Sequence, residues 1–484
     1  MNIDNIMKSL STQQNNHIAI IGLDCTLSNY EGQEEVLSLI RYNRNGIRTI
    51  PYNRKKIYDI SFVGQSSRNY IPLGYINDID AFDYKFFNMP LEEAKLTDPR
   101  QRLFLQSAWR TIEDAGYRID NLPDDTGVFL GLSNDRGNEY AEILKYLDSQ
   151  SKQVSTAGNI QSIIASRISY LLDLKGPAIV IDSACSSSMV ALHTAIQSII
   201  NDDCSQAIVG GVNLKIKPKL LKEHEVNVGN VSDSFLTRAF DVNANGTNSG
   251  EGFGSILIKK LDKAIENKDN IYSVILGSAL NQDGKSNGIT SPNGESQEEV
   301  IKKAWKKAKV HAEDFSFIEA HGTGTIIGDP IEFNALNKVF NEQTSKKQFC
   351  ALTSIKSNIG HTDSFSGLAG IIKSALCLKN GIIPASRNFA QPNNSIDILN
   401  SSLYINKNTK INRKSKKICG VSSFSINGTN AHVVMSDFKL EENSHPPNCK
   451  KIPLLFSAEN ISILINYLRR FLTFLKTTKY SIFA

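Results

Sequence analysis

A chain of 484 residues can bury a large core and hold two domains or one large duplicated one. Its 40% hydrophobic and 21% charged content is ordinary for a globular protein, and 54 basic against 49 acidic side chains leave a net charge of only +5. No basic run is interleaved with aromatics, which argues against nucleic acid as a partner, and seven scattered cysteines without a Cys-x-x-Cys pair argue against a disulfide framework or a zinc finger. Met1 to Asn16 reads as a polar tail without the apolar centre of a secretory signal, and no apolar run approaches the length of a membrane span. A cytosolic protein is expected. Lysine clusters at Lys215–Lys222, Lys302–Lys309 and Arg413–Lys417 read as solvated faces, or as docking surface for an acidic partner protein.

Taken in order, His17–Gly22 is predicted to be a buried strand ending in a turn. Asp98-Pro-Arg-Gln-Arg102 leads into an amphipathic helix with Leu103, Leu105, Ala108, Trp109, Ile112 and Ala115 near one face, ended by Gly116. Gly127–Gly131 is another strand. Arg167–Leu172 continues into Ala178–Ile181, a short β-branched run read as a buried strand. Past Cys185 the period becomes helical at Met189, Leu192, Ile196 and Ile199, so Cys185 falls at the first turn of a helix, after a corner of small residues, Ser183–Ser188. Helix N–H groups and the helix dipole there favour a thiolate, and the same donors can hold an oxyanion. The competing reading is a small buried cysteine in a tight turn.

Gln206–Asn213 is a strand, and a glycine-rich loop from Phe240 to Gly254 delivers the strand Ser255–Ile258. A second round follows: strand Ile271–Gly277, helix Ser296–Ala308, strand Phe315–Ala320, the loop His321-Gly-Thr-Gly-Thr325, a helix from near Pro330, Thr353–His361, a helix to Lys379, and a strand–turn–strand over Gly420–Met435. Alternating strands and helices give an α/β fold with buried sheets, in two halves at 17–265 and 266–437. A polar linker and an amphipathic helix fill 438–484; the helix covers Ser457–Lys476 with Ile461, Leu464, Leu468, Phe471, Leu472 and Leu475 on its apolar side, which needs a surface to cover it.

Several motifs fail on inspection. Ala279–Ser286 lacks the first glycine of a phosphate loop, Gly322-x-Gly324 lacks the third glycine of a dinucleotide loop, no Gly-x-Ser-x-Gly elbow occurs, and no two histidines have zinc-helix spacing. A nucleophile and two histidines beside glycines, His321 and His361, remain; a lone histidine is more often structural, but one at a strand end before a glycine turn invites a ligand.

Asp182-Ser-Ala-Cys-Ser-Ser-Ser188, Glu319-Ala-His-Gly-Thr-Gly-Thr325, Gly328-Asp-Pro-Ile-Glu332, Lys356-Ser-Asn-Ile-Gly-His361 and Gly428-Thr-Asn-Ala-His432, in this order, resemble a β-ketoacyl synthase of the modular polyketide synthase type over about residues 17–437. The resemblance implies a thiolase-like fold of two packed α/β halves in α/β/α/β/α layers, usually a homodimer, with a post-ketosynthase linker behind it. It implies Cys185 as acyl acceptor, His321 and His361 as the decarboxylation and condensation pair, and Lys356 as an electrostatic support. It further implies Thr323, Thr325 and Asn430 as substrate-binding residues, and the N–H groups of Cys185 and Ile426 as an oxyanion hole, with Ile426 gating the acyl pocket. The substrate would arrive on the phosphopantetheine of an acyl carrier protein, with no bound cofactor and no metal.

Ser425 and Asn427 depart from the glycines that usually flank the gating residue; Ser364-Phe-Ser366 is bulkier than the usual alanines, and Cys25-Thr-Leu-Ser-Asn29 departs from Cys-Arg-Phe-Pro. Other readings are a non-elongating acyl-transferring synthase, a decarboxylase, a coenzyme A thiolase and a catalytically silent dimer or chain-length partner. Non-elongating synthases usually lack the histidine matching His321, decarboxylases carry Gln in place of Cys185, silent partners lose the nucleophile, and the residues around Cys419 do not match the second active-site cysteine of a thiolase.

Overall fold

The structure, a computed structural model, describes residues 16–61, 69–133, 139–144, 156–217, 219–220, 231–439 and 454–477. The expected N-terminal tail, apart from its last residue, and most of the expected linker lie outside these residues. The chain divides into two units, 1–438 and 439–484.

In the first unit eleven strands form one path: β1 (Ile18–Leu27), β2 (Gly127–Gly131), β3 (Ala178–Ile181), β4 (Gln206–Asn213), β5 (Gly252–Lys260), β6 (Ser273–Gln282), β7 (Phe315–Glu319), β8 (Cys350–Thr353), β9 (Leu403–Ile405), β10 (Ile418–Phe424) and β11 (Thr429–Ser436). Their order is β9-β8-β7-β10-β11-β6-β1-β5-β4-β2-β3. The order 3-2-4-5-1 in the first half repeats as 8-7-10-11-6 in the second. The sense repeats too: β2 is parallel to β3 and β4, as β7 is to β8 and β10, while β4·β5 and β10·β11 are antiparallel. The two halves meet at an antiparallel seam, Ile18↔Ile275, Ala19↔Val274 and Ile20↔Ser273.

Helices complete the layers. α1 (Pro99–Asp114) covers β1, β4 and β5, while α3 (Gly294–Ala308) covers β6 and β11, with α4 (Gly328–Asn341) stacked on α3. Between the halves lie α2 (Ser187–Ile200) and α5 (Ser366–Lys379), which pack on each other and on strands of both. Five layers result, as expected of a thiolase-like fold. Alternation of side chains along β1 explains how one strand serves two layers: Ile18 and Ile20 join the inner core with Met189, Leu192 and Leu368, whereas Ala19 and Ile21 join the outer core with Leu105 and Ile112. α1 starts where its sequence says, with Asp98 accepting the Arg100 N–H and Pro99 in the first turn.

Four expectations are corrected. Gly22 makes no turn, because β1 runs through it with a register shift after Ile20; a Cβ there would lie 2.4 Å from the Thr111 carbonyl oxygen, so the glycine admits α1. Arg167–Leu172 belongs to a helix, Ser162–Leu171 and its C-terminal residue, rather than to the approach of a strand. β3 is not buried: it is the last strand of the path, its residues are exposed or half-buried, and Ile179 is 38% exposed. Finally, Cys185 precedes the long helix, lying in a 3₁₀ turn, Ala184–Ser186, with α2 starting at Ser187.

In the second unit, α6 (Ile461–Thr477) half-buries Leu464, Leu468, Phe471 and Leu475, spaced three or four apart, and the Phe456 ring packs 5.5 Å from Tyr467 and 5.0 Å from Phe471.

Candidate active site

The corner after β3 turns on Ala184, held at φ +53° in the left-handed region. Small hydroxyl residues close it from within. The Ala184 N–H donates to Asp182 Oδ1 at 3.0 Å, the Ser183 N–H to Ser187 Oγ at 2.9 Å, and Ser187 Oγ to the Ala184 carbonyl at 2.6 Å. The second half closes it from without. Ser366 and Ser423 hydroxyls donate to the Cys185 carbonyl at 3.1 and 3.2 Å, and the Ser425 hydroxyl donates to the Ser183 carbonyl at 2.8 Å. Among the six described cysteines Cys185 alone is partly exposed. Burial pushes the Cys204 thiol up to about 11 and Cys377 up to about 12, which leaves these thiols protonated and inert.

His361 follows a one-turn helix, Lys356–Ile359, and Gly360 at φ +80°, and its main chain is clamped to Asn248 and Gly250. A ring nitrogen of His361, the sulfur of Cys185 and a carboxylate oxygen of Asp363 lie within 4.8 Å of one another. His321 stands at the end of β7. Its N–H and that of Gly322 donate to the two oxygens of buried Glu332, at 2.7 and 2.8 Å, while Gly324 and Phe240 N–H groups donate to Asp329 at 3.0 and 2.5 Å. α4 thus pins the glycine loop through two carboxylates, which burial pushes up to about 7. The two imidazoles are 5.7 Å apart and nearly perpendicular, at 84°. Neither Nδ1 has a hydrogen-bond partner among the described residues, although both are buried.

Electrostatics keep both rings neutral. Burial, assisted by the Lys356 ammonium, pushes His361 down to about 4 despite Asp363, and holds His321 well below the usual imidazole range. Lys356 is itself buried, its ammonium pulled down by burial and held up by Glu319, Glu332 and Cys185. Beneath it, Lys373 and Glu319 form a closed ion pair at 2.5 Å, 1% and 2% exposed.

The remaining expected residues are placed less uniformly. The Thr325 hydroxyl accepts the Gly328 N–H at 3.1 Å and lies 3.4 Å from that of Thr323, so both stand on the loop beside His321. Ile426, 48% exposed, tips a tight turn closed by Gly428 N–H to the Ser425 carbonyl at 2.9 Å. Asn430 is 1% exposed and its amide donates to Asp283 at 2.6 Å, which makes it a brace for the neighbouring loop. Neither Ser425 nor Asn427 has a positive φ; only Gly428 does, at +82°, so the departures introduce no strain. The bulk of Phe365 is likewise absorbed, since its ring fills the space where Gly211 and Gly252 would carry side chains.

Sequence reasoning missed Asp363, which nothing in its local pattern marks, and placed Lys215 on a solvated face. Lys215 is 2% exposed, with its ammonium 2.5 Å from Asp363. Glu332 was in view as part of a motif, without a role.

A repeated α/β half, a partly exposed cysteine on a strained corner after one edge strand, and two buried imidazoles brought from the other half make this a thiolase-like fold. The model of the β-ketoacyl synthase N-terminal domain matches residues 15–264, and that of the C-terminal domain matches 272–390. The chain belongs to the β-ketoacyl synthase family. It is 41% identical over 436 residues to the polyketide synthase PksL of Bacillus subtilis, covering 88% of this chain and 9% of that protein. It is 35% identical to the pikromycin polyketide synthase component PikAII of Streptomyces venezuelae, covering 92% and 12%. The chain therefore spans about a tenth of the length of these relatives. Among solved structures, the ketosynthase from module 6 of the bacillaene synthase of Bacillus subtilis superposes with a TM-score of 0.84 at 38% identity, covering 96% of this chain and 78% of that one. Ketosynthase twelve of the bacillaene synthase of Bacillus amyloliquefaciens gives 0.86 at 31%, covering 97% and 82%.

Proposed function

We propose that this chain catalyses decarboxylative condensation on carrier-bound substrates. The Cys185 thiolate attacks the acyl thioester of a carrier's phosphopantetheine arm; a new C–S bond forms, the arm's C–S bond breaks, and the arm departs as its thiolate, which takes a proton from water. A malonyl-type extender then breaks its C–C bond to release CO₂. The enolate left behind is held by N–H donors of His321 and His361, and its carbon attacks the Cys185 thioester. The sulfur leaves as thiolate, and the carrier keeps a β-ketoacyl chain two carbons longer. Thr323 and Thr325 contact the arm; Cys185 and Ile426 N–H groups receive the oxyanion.

The observation that carries this reading is the pair of neutral, neighbouring imidazoles with unused buried nitrogens beside the partly exposed cysteine. Neutral rings can donate to a developing enolate where imidazolium would favour simple proton transfer. Presence of both His321 and Cys185 favours elongation over a transfer-only or silent domain.

The partner is an acyl carrier protein, and a second copy of the chain is expected at β3, which among the described residues is an edge strand with Ile179 exposed. Among the described residues no helix is long and apolar enough to cross a membrane.

Intact-mass spectrometry after incubation with acyl carrier thioesters tests the scheme. Wild type gains the acyl mass, Cys185→Ala does not, and His321→Ala loads but yields no β-ketoacyl carrier when malonyl carrier is added. An adduct on Cys185→Ala, or full elongation by His321→Ala, overturns the assignment.

A further inference from the structure

Lys215 and Asp363 come from opposite halves, Lys215 just past β4 and Asp363 just past His361. Each is held by its own surroundings. The Lys215 N–H donates at 2.8 Å to Glu251, whose carboxylate is gripped by buried Arg54 at 2.5 and 2.8 Å. Asp363 sits at φ +40°, a conformation that a non-glycine residue keeps only when its surroundings fix it, and the next residue, Ser364, anchors to the Val212 carbonyl at 3.0 Å. The resulting ion pair at 2.5 Å lies against the reacting atoms, with the carboxylate within 4.8 Å of both the sulfur and the imidazole.

We infer that Lys215 and Asp363 are positioning residues that together present Cys185 and His361 with a charge-balanced neighbour, Lys215 cancelling the carboxylate that would otherwise face the sulfur. The inference rests on the ketosynthase reading for its purpose, though not for its test. A lone carboxylate at that range raises a thiol's pKa and favours an imidazolium; both changes oppose a thiolate nucleophile and a neutral enolate holder. The other described charges around the pocket are drawn elsewhere. Lys356 faces the sulfur and both rings from the one-turn helix, but Glu319 and Glu332 also draw on it. Glu319 is closed on Lys373, Glu332 on the His321 loop, and Asp182 on the Ala184 N–H. Asp363 has Lys215 as its ion-pair partner.

The test is the pH dependence of Cys185 alkylation by iodoacetamide, read by peptide mass spectrometry at that cysteine. Lys215→Met shifts the midpoint upward by about one unit, an alkylation rate about tenfold lower at pH values below both midpoints. Asp363→Asn shifts it downward, less far, because the stranded ammonium gives up part of its charge. The double variant returns close to wild type. A structural role alone does not produce opposite signs that cancel. An unchanged midpoint in Lys215→Met, or a double variant displaced as far as that single one, overturns the inference. Should Lys215→Met not fold, Asp363→Asn decides: a downward shift supports the pair, and an upward shift or none rejects it. Acyl loading of wild type is measured alongside; its absence would sink the ketosynthase reading while leaving the alkylation profiles to judge the pair.

Discussion

Ala184 is the residue at which local conformation and chemistry meet. An alanine at φ +53° is held against its own preference, and the hydroxyls of Ser187, Ser366, Ser423 and Ser425 do the holding. The corner itself was legible: β-branched residues, then small ones, then helical spacing. The hydroxyls that lock it from the second half were not, because their partners are more than 180 positions away along the chain. Asp363 was illegible for the same reason, since its partner Lys215 lies 148 residues upstream. His321 and His361 were legible from the glycines beside them and from the motifs that contain them.

The imidazoles carry a pH prediction. His361 accepts a proton only near pH 4 in the folded protein rather than at the ordinary 6.5, and His321 is held down as well. Both therefore stay neutral as pH falls through 6.5. Decarboxylation of malonyl carrier, followed by CO₂ release from about pH 8 to about pH 5, should show no acid limb from these rings near 6.5. A limb centred there, matched by an ordinary His361 ring titration in NMR, would contradict the burial argument.

Among elements, glycines decide how closely strand and helix approach. A Cβ on Gly131 of β2 would lie 2.2 Å from the Ser188 nitrogen in the first turn of α2, and backbone cannot swing away as a side chain can. Gly131→Ala is expected to lower stability by about 1–3 kcal/mol and to move the Cys185 corner. Thermal melting and the iodoacetamide rate at Cys185 check it together: a melting point at the wild-type value would show that α2 gives way freely. Gly22 teaches the complementary lesson. Glycine reads as a turn in a sequence because turns use its freedom, yet here it serves a crossing of β1 and α1. Element type was mostly legible from periodicity; whether a strand lies inside or at the edge was not. Four apolar residues look the same in a central strand and in β3, because the pattern does not record where in the sheet a strand falls.

At the scale of the molecule, β3 predicts an oligomer. Among the described residues it ends the sheet, and that edge with its exposed Ile179 invites an antiparallel copy of itself. Sedimentation should give a dimer for wild type and a monomer for Ile179→Lys; a wild-type monomer at micromolar concentration would remove the dimer from the scheme. The duplicated order of strands could be suspected from the alternation of elements, whereas the seam between β1 and β6 could not, since three residue pairs leave no mark on either sequence.

That seam has a consequence for how the enzyme could be taken apart. On the proposed function, the sulfur belongs to the segment before it and both rings to the segment after it, so neither piece alone would hold a complete centre. Cut in the stretch joining them, residues 261–272, the chain would become two inert fragments, and any turnover regained on mixing would measure their reassembly directly.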